Sequence, residues 1–317
     1  MDDDGVTKRS FPATMRAVRL LGKGGPEALV LERVDTPVPS PGDALVRVRA
    51  AAITRDELEW PTDRLPAIPS YEFSGEVVAV GQEVHDLTPG DEVYTLCGFD
   101  RDGGAAEYST VPAHLLAPRP RSVDHVRSAA IPLAGLSAWQ GLFDHGRLAR
   151  NQRVLIHGAA GGVGHLATQL ARWCGAYVIG SSSPRNAEIV AEFGADDVID
   201  YRSRWFEGGS LPDVDLVFDT VGGDVLENSE RVVRAGGRIV SVAEEPRPAR
   251  STRGTESVFF VVQPNRAQLV ELARLVDAGE LKPAVESVFP LRDARSAFER
   301  SLAPGKHGKV VLHVDDE

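Results

Sequence analysis

Cysteine is nearly absent from this sequence. The 317 residues contain two, Cys97 and Cys174, too few and too far apart in sequence for a disulfide framework. That composition suits a reducing cytoplasm. No uninterrupted apolar run reaches the ~18 to 20 residues that a membrane-spanning helix needs. The opening MDDDGVTKRS lacks the basic start and apolar stretch of a secretion signal. Positive charge is also short. Against 46 Asp and Glu stand 35 Lys and Arg, leaving a net charge of −11, which argues against nucleic acid as the main partner. The expectation is a cytoplasmic protein with no membrane and no nucleic-acid partner.

What is present divides into two kinds of pattern, and the length suits two domains. The first ~130 residues are β-rich, after an acidic, polar extension (1–14) that reads as mobile. Short β-prone runs at Arg16–Leu20, Leu29–Val34, Ala44–Ala52, Ser74–Val80 and Glu92–Tyr94 are separated by turn signals such as Pro39-Ser40-Pro41-Gly42-Asp43. Near Ser128 the pattern changes. A helix is expected over Ser128–Phe143, then strands at Arg153–His157, Ala176–Gly180, Val198–Asp200, Val214–Phe218, Arg238–Val242 and Val258–Val262. Helices at Val163–Cys174, Pro184–Phe193, Val225–Val233 and Asn265–Ala278 alternate with or follow them. Such alternation predicts a parallel, doubly wound sheet. After Leu281 strands return at Ala284–Phe289 and Lys309–Val314 around a helix at Arg292–Leu302. The fold expected is α/β: a discontinuous β-rich domain (1–130 and 282–317) with a Rossmann domain (131–281) inserted.

The strongest motif is HGAAGGVG, His157–Gly164. It follows a strand and opens a helix, the context in which a glycine fingerprint gains meaning. Ala159 stands in the first glycine place, Gly161 and Gly164 in the second and third, and Gly162 is additional. Ala160 and Val163 complete the turn. Small residues let the backbone approach a pyrophosphate, and the helix start points amides at it. A tight turn without a ligand is the plain alternative. NAD-binding versions place an acid about 20 residues on, at the end of the second strand. Here that place reads Gly180-Ser181-Ser182-Ser183-Pro184-Arg185. Hydroxyls and an arginine suit a 2′-phosphate, so NADPH is the expected cofactor. The same serines could simply cap the helix begun at Pro184.

The segments AAGGVG, GADDVIDYR (Gly194–Arg202), FDTVGG (Phe218–Gly223) and GKHGKVVL (Gly305–Leu312) resemble the medium-chain dehydrogenase/reductase superfamily, in its zinc-independent quinone oxidoreductase branch. IPSYEFSGEVVAVG (Ile68–Gly81) and GDEVY (Gly90–Tyr94) resemble that family's GroES-like catalytic domain. The resemblance implies a cleft between the domains with nicotinamide at its floor. It places Ser182, Arg185 and Tyr201 around the 2′-phosphate and adenine ribose, and Ser137 near the nicotinamide. Val242 and the run Phe259-Phe260-Val261 would contact the carboxamide. Lys309 would stand near the cofactor phosphates. Tyr201 as an edge residue and Lys309 as a solvated strand residue remain the plain alternatives.

The places of a catalytic zinc in this superfamily fall here near Thr54, at Tyr71-Glu72, and near Ile131–Ala134. One carboxylate does not hold zinc, so no metal is expected. Without a Lewis acid, conjugated acceptors are the easier substrates: hydride addition puts charge on an oxygen that hydrogen bonds can stabilise. The expected activity is reduction of a quinone or other α,β-unsaturated carbonyl. Thr54 and Tyr71 are the candidates for positioning the substrate, with Asp56 a weaker third. Many relatives carry asparagine where Thr54 stands, and Tyr71 reads more naturally as wall than as acid. The pocket should be lined by Thr54–Leu65, Thr95–Gly104 and Ser251–Ser257. Two alternatives stay open: an enoyl-thioester reductase of the same fold, and a non-catalytic NADPH-binding sensor or scaffold. The apolar run Val258–Val262 at a sheet edge predicts a homodimer.

Overall fold

A computed structural model describes residues 11–60, 63–203, 211, 213–245 and 254–314. Most of the expected extension, and residues 251–253 of the expected pocket, lie outside them. Strands β1 (Thr14–Leu20) and β2 (Leu29–Asp35) make an antiparallel pair. Strands β3 (Asp43–Ile53), β4 (Glu72–Val80), β5 (Glu92–Leu96), β6 (Tyr108–Pro112) and β7 (Ala117–Pro118) follow. Helices α1 (His125–Ala129) and α2 (Pro132–Trp139) lead into the second pattern. It comprises β8 (Arg153–His157), α3 (Gly164–Cys174), β9 (Tyr177–Ser182), α4 (Ala187–Glu192), β10 (Asp197–Asp200), β11 (Val214–Asp219), α5 (Asp224–Asn228), β12 (Val233–Ser241), β13 (Glu256–Phe259) and α6 (Arg266–Asp277). The described chain closes with β14 (Val285–Pro290), α7 (Ala294–Leu302) and β15 (Lys309–His313).

Six strands form a fully parallel sheet in the order β10-β9-β8-β11-β12-β13. That is the doubly wound Rossmann order, with its switch point between β8 and β11. The central strand β8 carries Val154, Leu155 and Ile156 in an unbroken buried run, as a strand covered on both faces requires. The second sheet runs β14-β15-β3-β4-β5-β7, with β6 on β3. Here β15, last of the described strands in sequence, pairs antiparallel with the C-terminal end of β3, Ala50–Ile53. The chain therefore leaves the β-rich sheet after β7 and returns to it at β14. Among the described residues no helix is long and apolar enough to cross a membrane.

Three local expectations need correction. The helix expected over Ser128–Phe143 is broken into α1, α2 and a π-type turn at Gln140–His145. Pro132 cannot continue the preceding turn and starts α2 instead. The helix expected over Val225–Val233 ends at Asn228, and Val233 opens β12. The strand expected at Val258–Val262 lies earlier, at Glu256–Phe259, because its register is set by β12: Val240 pairs with Val258 and Ser241 with Phe259. Phe260 and Val262 fold into the core past the strand end.

Buried histidines brace the Rossmann sheet. His157 ends β8, with Nδ1 2.9 Å from Ser181 Oγ and Nε2 3.0 Å from Ser229 Oγ. On α3, His165 Nδ1 donates to the Gly161 carbonyl at 3.0 Å, and its Nε2 accepts from the Ala284 amide at 3.0 Å. This ring thus joins the glycine turn to the returning β-rich segment. Beside it, the Gln169 side chain bonds both backbone groups of Lys282, at 2.8 and 3.0 Å. Burial lowers the pKa of His157 to about 3 and that of His165 to about 4, from 6.5. Both rings are neutral in the folded protein, while the unfolded chain takes up protons as pH drops through 6.5. Stability is therefore fully present above that pH and lost on the way down to about 4, by up to ~1.4 kcal/mol per pH unit per ring. Denaturant midpoints measured between about pH 7 and pH 5 should fall, and should fall less steeply in His165→Gln. A flat profile in the native protein contradicts this.

Candidate active site

The glycine turn after β8 is shaped by close approach. Gly158 has φ +71°, and a Cβ there would lie 2.6 Å from Thr220 Oγ1. A Cβ on Gly164 would lie 2.1 Å from the Gly158 carbonyl oxygen, so the turn and the start of α3 nest against each other. Val163 at the head of α3 supplies no side-chain cap, and while the amides of His165 and Leu166 bond back to the Gly161 and Val163 carbonyls, the turn and helix start still present backbone to an anion. Gly158, Ala160, Gly161, Gly162 and Val163 face a cleft of about 1160 Å³ between the two sheets. Ala159 and Gly164 lie beneath it. Ala159 is buried against Gly180 of β9 and Gly164 against the turn itself, so both shape the cradle rather than line it.

At one end of the cleft stand Ser181, Ser182, Arg185, Tyr201 and Arg202. The Ser181 hydroxyl is turned inward to His157 and is committed there. Ser182 Oγ reaches the Ser183 carbonyl at 3.0 Å. Arg185 reaches across to Gly305, where a Cβ would lie 3.3 Å from Nη1. Tyr201 is 47% exposed with the Arg202 guanidinium over its ring at 5.9 Å, while Arg202 also pairs with Asp200. Lys306, which sequence reasoning missed, lines the same cleft and donates to the Ser301 carbonyl. Burial, then repulsion by Lys309 and Arg55, pushes its pKa down to about 8. In a chain of net charge −11, this concentration of cations in one cleft marks a site for a polyanion.

The floor is built from buried charge. Lys309, at the head of β15, places Nζ 2.5 Å from Glu72 Oε1 and 3.1 Å from Thr54 Oγ1. The two charged side chains are 4% and 0% exposed. Glu72 Oε2 accepts from the Leu133 amide at 2.8 Å. The Lys309 stem passes the glycine turn, with Cδ 3.0 Å from where a Gly162 Cβ would be. Thr54, Leu133 and Ser137 line the floor, and Val242 and Phe259-Phe260-Val261 line the wall by β13. Glu57 lies behind Thr54, fully buried. Burial pushes its carboxyl up to about 8, against the pull of Lys309.

Beyond the floor, Trp60 and Phe99 face the cleft with ring centroids 5.0 Å apart. Tyr71 is not on the wall. It is fully buried behind them, 5.7 Å from Trp60 and 5.5 Å from Phe99. Its hydroxyl accepts from Arg64 at 2.9 Å, and burial raises its pKa above the ordinary tyrosine value. Arg64 also holds the carbonyls of Phe99 and Arg101, so Tyr71 and Arg64 fix the aromatic wall from behind. Asp56 lines the mouth. Of the third pocket segment expected from sequence, the described residues 254–257 lie outside the cleft lining.

The residues fit a nicotinamide dinucleotide: a cradle that side chains would fill, cations beside it, and a cleft running from them to the Thr54 floor. They do not fit a catalytic zinc. At the superfamily's metal place stand a threonine, a buried tyrosine bound to arginine, and a carboxylate already taken by an ammonium. Among the described residues no three His, Cys, Asp or Glu side chains are grouped to hold a metal.

Residues 40–121 match the family described as alcohol dehydrogenase GroES-like domain, and residues 193–312 the family described as zinc-binding dehydrogenase. A chloroplastic quinone-oxidoreductase of Triphysaria versicolor is 31% identical over 94% of this chain and 98% of its own. A chloroplastic NADPH-dependent alkenal/one oxidoreductase of Arabidopsis thaliana is 32% identical over 96% and 81%. The solved quinone oxidoreductase from Coxiella burnetii superposes with a TM-score of 0.84 at 29% identity, covering 95% of this chain and 100% of that one.

The nested turn makes a test of the cradle. Gly164→Ala should destabilise the fold by about 1 to 3 kcal/mol, the usual penalty of overpacking against backbone. Gly162→Ala meets the Lys309 stem at 3.0 Å and the Gly308 carbonyl only at an ordinary 3.8 Å, so it should cost the fold less than Gly164→Ala yet weaken binding of a dinucleotide. Denaturant unfolding and fluorescence titration with NADPH measure the two effects. Equal behaviour of both variants contradicts this account of the turn.

Proposed function

The chain belongs to the medium-chain dehydrogenase/reductase family, in its quinone oxidoreductase branch, and from that premise we propose that it is an NADPH-dependent, metal-free reductase of quinones or other α,β-unsaturated carbonyls. The observation that carries this is the ammonium of Lys309 held 2.5 Å from Glu72, at the place where a metal would otherwise polarise a carbonyl. Without that Lewis acid an isolated ketone is a poor acceptor, and a conjugated one better suited. The bound dinucleotide would supply hydride. The protein's part is to hold the acceptor flat against Trp60 and Phe99, present Thr54 to its oxygen and exclude bulk water. The similarity to a quinone-oxidoreductase and an alkenal/one oxidoreductase supports the same acceptor class.

The end of β9 supports NADPH. It presents Ser182 and Arg185 with no acid to grip a ribose hydroxyl, and Arg202 and Lys306 add positive charge. The edge strand β13 supports a homodimer: among the described strands it pairs only with β12, and a sheet edge running into the apolar Val258–Val262 is best covered by a twin.

NADPH oxidation against quinones, enones, acyl thioesters and simple ketones tests the activity. Turnover should be confined to the conjugated acceptors, with ethanol and secondary alcohols nearly inert in reverse. Rapid alcohol oxidation, or silence with every conjugated acceptor, contradicts the proposal. Arg185→Ala should weaken NADPH roughly ten- to a hundredfold, the worth of a charge-assisted hydrogen bond, and leave NADH little changed. Equal effects on both cofactors would show that Arg185 does not read the phosphate. Light scattering at micromolar concentration should give a dimer, and a monomer there counts against the edge pairing.

A further inference from the structure

Glu57 is, among the described residues, a buried carboxyl without a matching partner. It is fully buried, and among the described residues neither carboxyl oxygen has a hydrogen-bond partner. The backbone at Thr54 and Ser70 lies close enough to favour the ionised form slightly, without completing a hydrogen bond of ordinary geometry, and burial outweighs it. A buried, unbonded carboxylate is among the costliest groups a fold can hold. Its charged neighbours are Glu72 and Lys309, and Tyr71 and Cys97 also face it. Burial raises the pKa of both latter groups, so each stays neutral. One ammonium and two carboxylates therefore share a nearly water-free site under the cleft floor. Lys309 matches Glu72, and nothing remains to match an ionised Glu57.

The same ammonium donates to Thr54 Oγ1 at 3.1 Å. The Thr54 hydroxyl hydrogen has only a long contact inside the protein, 3.5 Å to Glu72, and the residue lines the cleft. A hydroxyl that accepts from a cation becomes a stronger donor in turn. Its hydrogen is available to whatever occupies the floor.

We propose that Glu57, Glu72 and Lys309 form one electroneutral unit, with the proton resident on Glu57, and that this unit polarises the Thr54 hydroxyl into the donor for an oxyanion on the cleft floor. Resting on the reductase assignment above, the oxyanion is that of the reduced acceptor. As hydride forms the new C–H bond, the displaced π pair settles on the carbonyl oxygen. Thr54 hydrogen-bonds that oxygen, and solvent supplies the proton that completes the product. Ionising Glu57 would leave the unit with a net negative charge and weaken the site.

Two measurements on the ligand-free protein test this without turnover. Infrared difference spectra should show a carboxylic-acid band that disappears as pH rises through about 8 and is missing from Glu57→Gln. The second probe is 2,4-dinitrophenolate, a delocalised oxyanion that stays ionised across this range. Its dissociation constant should rise roughly tenfold between about pH 7 and pH 9.5 in the native protein and stay flat in Glu57→Gln. Thr54→Val should bind it weakly throughout, and Thr54→Ser should restore binding. Lys306 also titrates near 8, so a pH-dependent loss that persists in Glu57→Gln belongs to Lys306 and overturns the proposal. It is equally overturned by absence of the acid band, by no phenolate binding at any pH, or by unchanged binding in Thr54→Val. If the quinone and enone panel fails while these readouts hold, the reductase assignment falls and the oxyanion site stands.

Discussion

The ion pair between Lys309 and Glu72 is the contact on which the rest of the site depends. Two charges placed out of water must match closely, and removing either partner of such a pair typically costs about 3 to 5 kcal/mol. Here the match links distant parts of the chain. Glu72 opens β4, Lys309 opens β15, and Leu133 at the start of α2 bonds the second Glu72 oxygen. The lysine stem runs beside the glycine turn, and Gly308, the residue before it, donates to the Ala160 carbonyl at 2.9 Å. One short segment thereby sets the spacing between the cofactor cradle and the acceptor floor.

The rest of the cleft follows as a division of labour between its two walls. The Rossmann wall supplies backbone: a turn stripped of side chains, a helix start without a cap, and cations at the β9 end. The β-rich wall supplies side chains: Thr54 on the floor, Trp60 and Phe99 above it, and Arg64 with Tyr71 holding those rings in place. Helix α3 joins the walls through His165 and Gln169, both bonded to the backbone of the returning segment. An acid-induced loss of the neutral His165 ring would therefore disturb the cleft as well as the core.

Much of this was legible in the sequence, and for identifiable reasons. The alternation of apolar runs with helical periods encodes the parallel sheet, and HGAAGGVG with Ser182 and Arg185 encodes the cradle. Fold-level resemblance placed Lys309 near the cofactor, and the stem does pass the turn. Its head group lies elsewhere, because only the folded sheet shows that Glu72 and Thr54 meet it. Tyr71 illustrates the same limit: next to Glu72 in sequence, it points to the opposite face of the strand entry and packs behind the aromatic wall. Glu57 carries no local signal in the sequence that announces its burial. Lys306 was readable within GKHGKVVL, but its position beside Arg55 and Lys309 is a property of the return from α7 to β15.

The central claim is that the cation at Glu72 is the protein's own. Elemental analysis of freshly purified, fully active protein, with activity assayed before and after dialysis against a strong chelator, tests it most directly. The account predicts zinc well below one atom per chain and activity unaffected by the chelator. About one zinc per chain, with activity lost on chelation and recovered on adding zinc back, would contradict it.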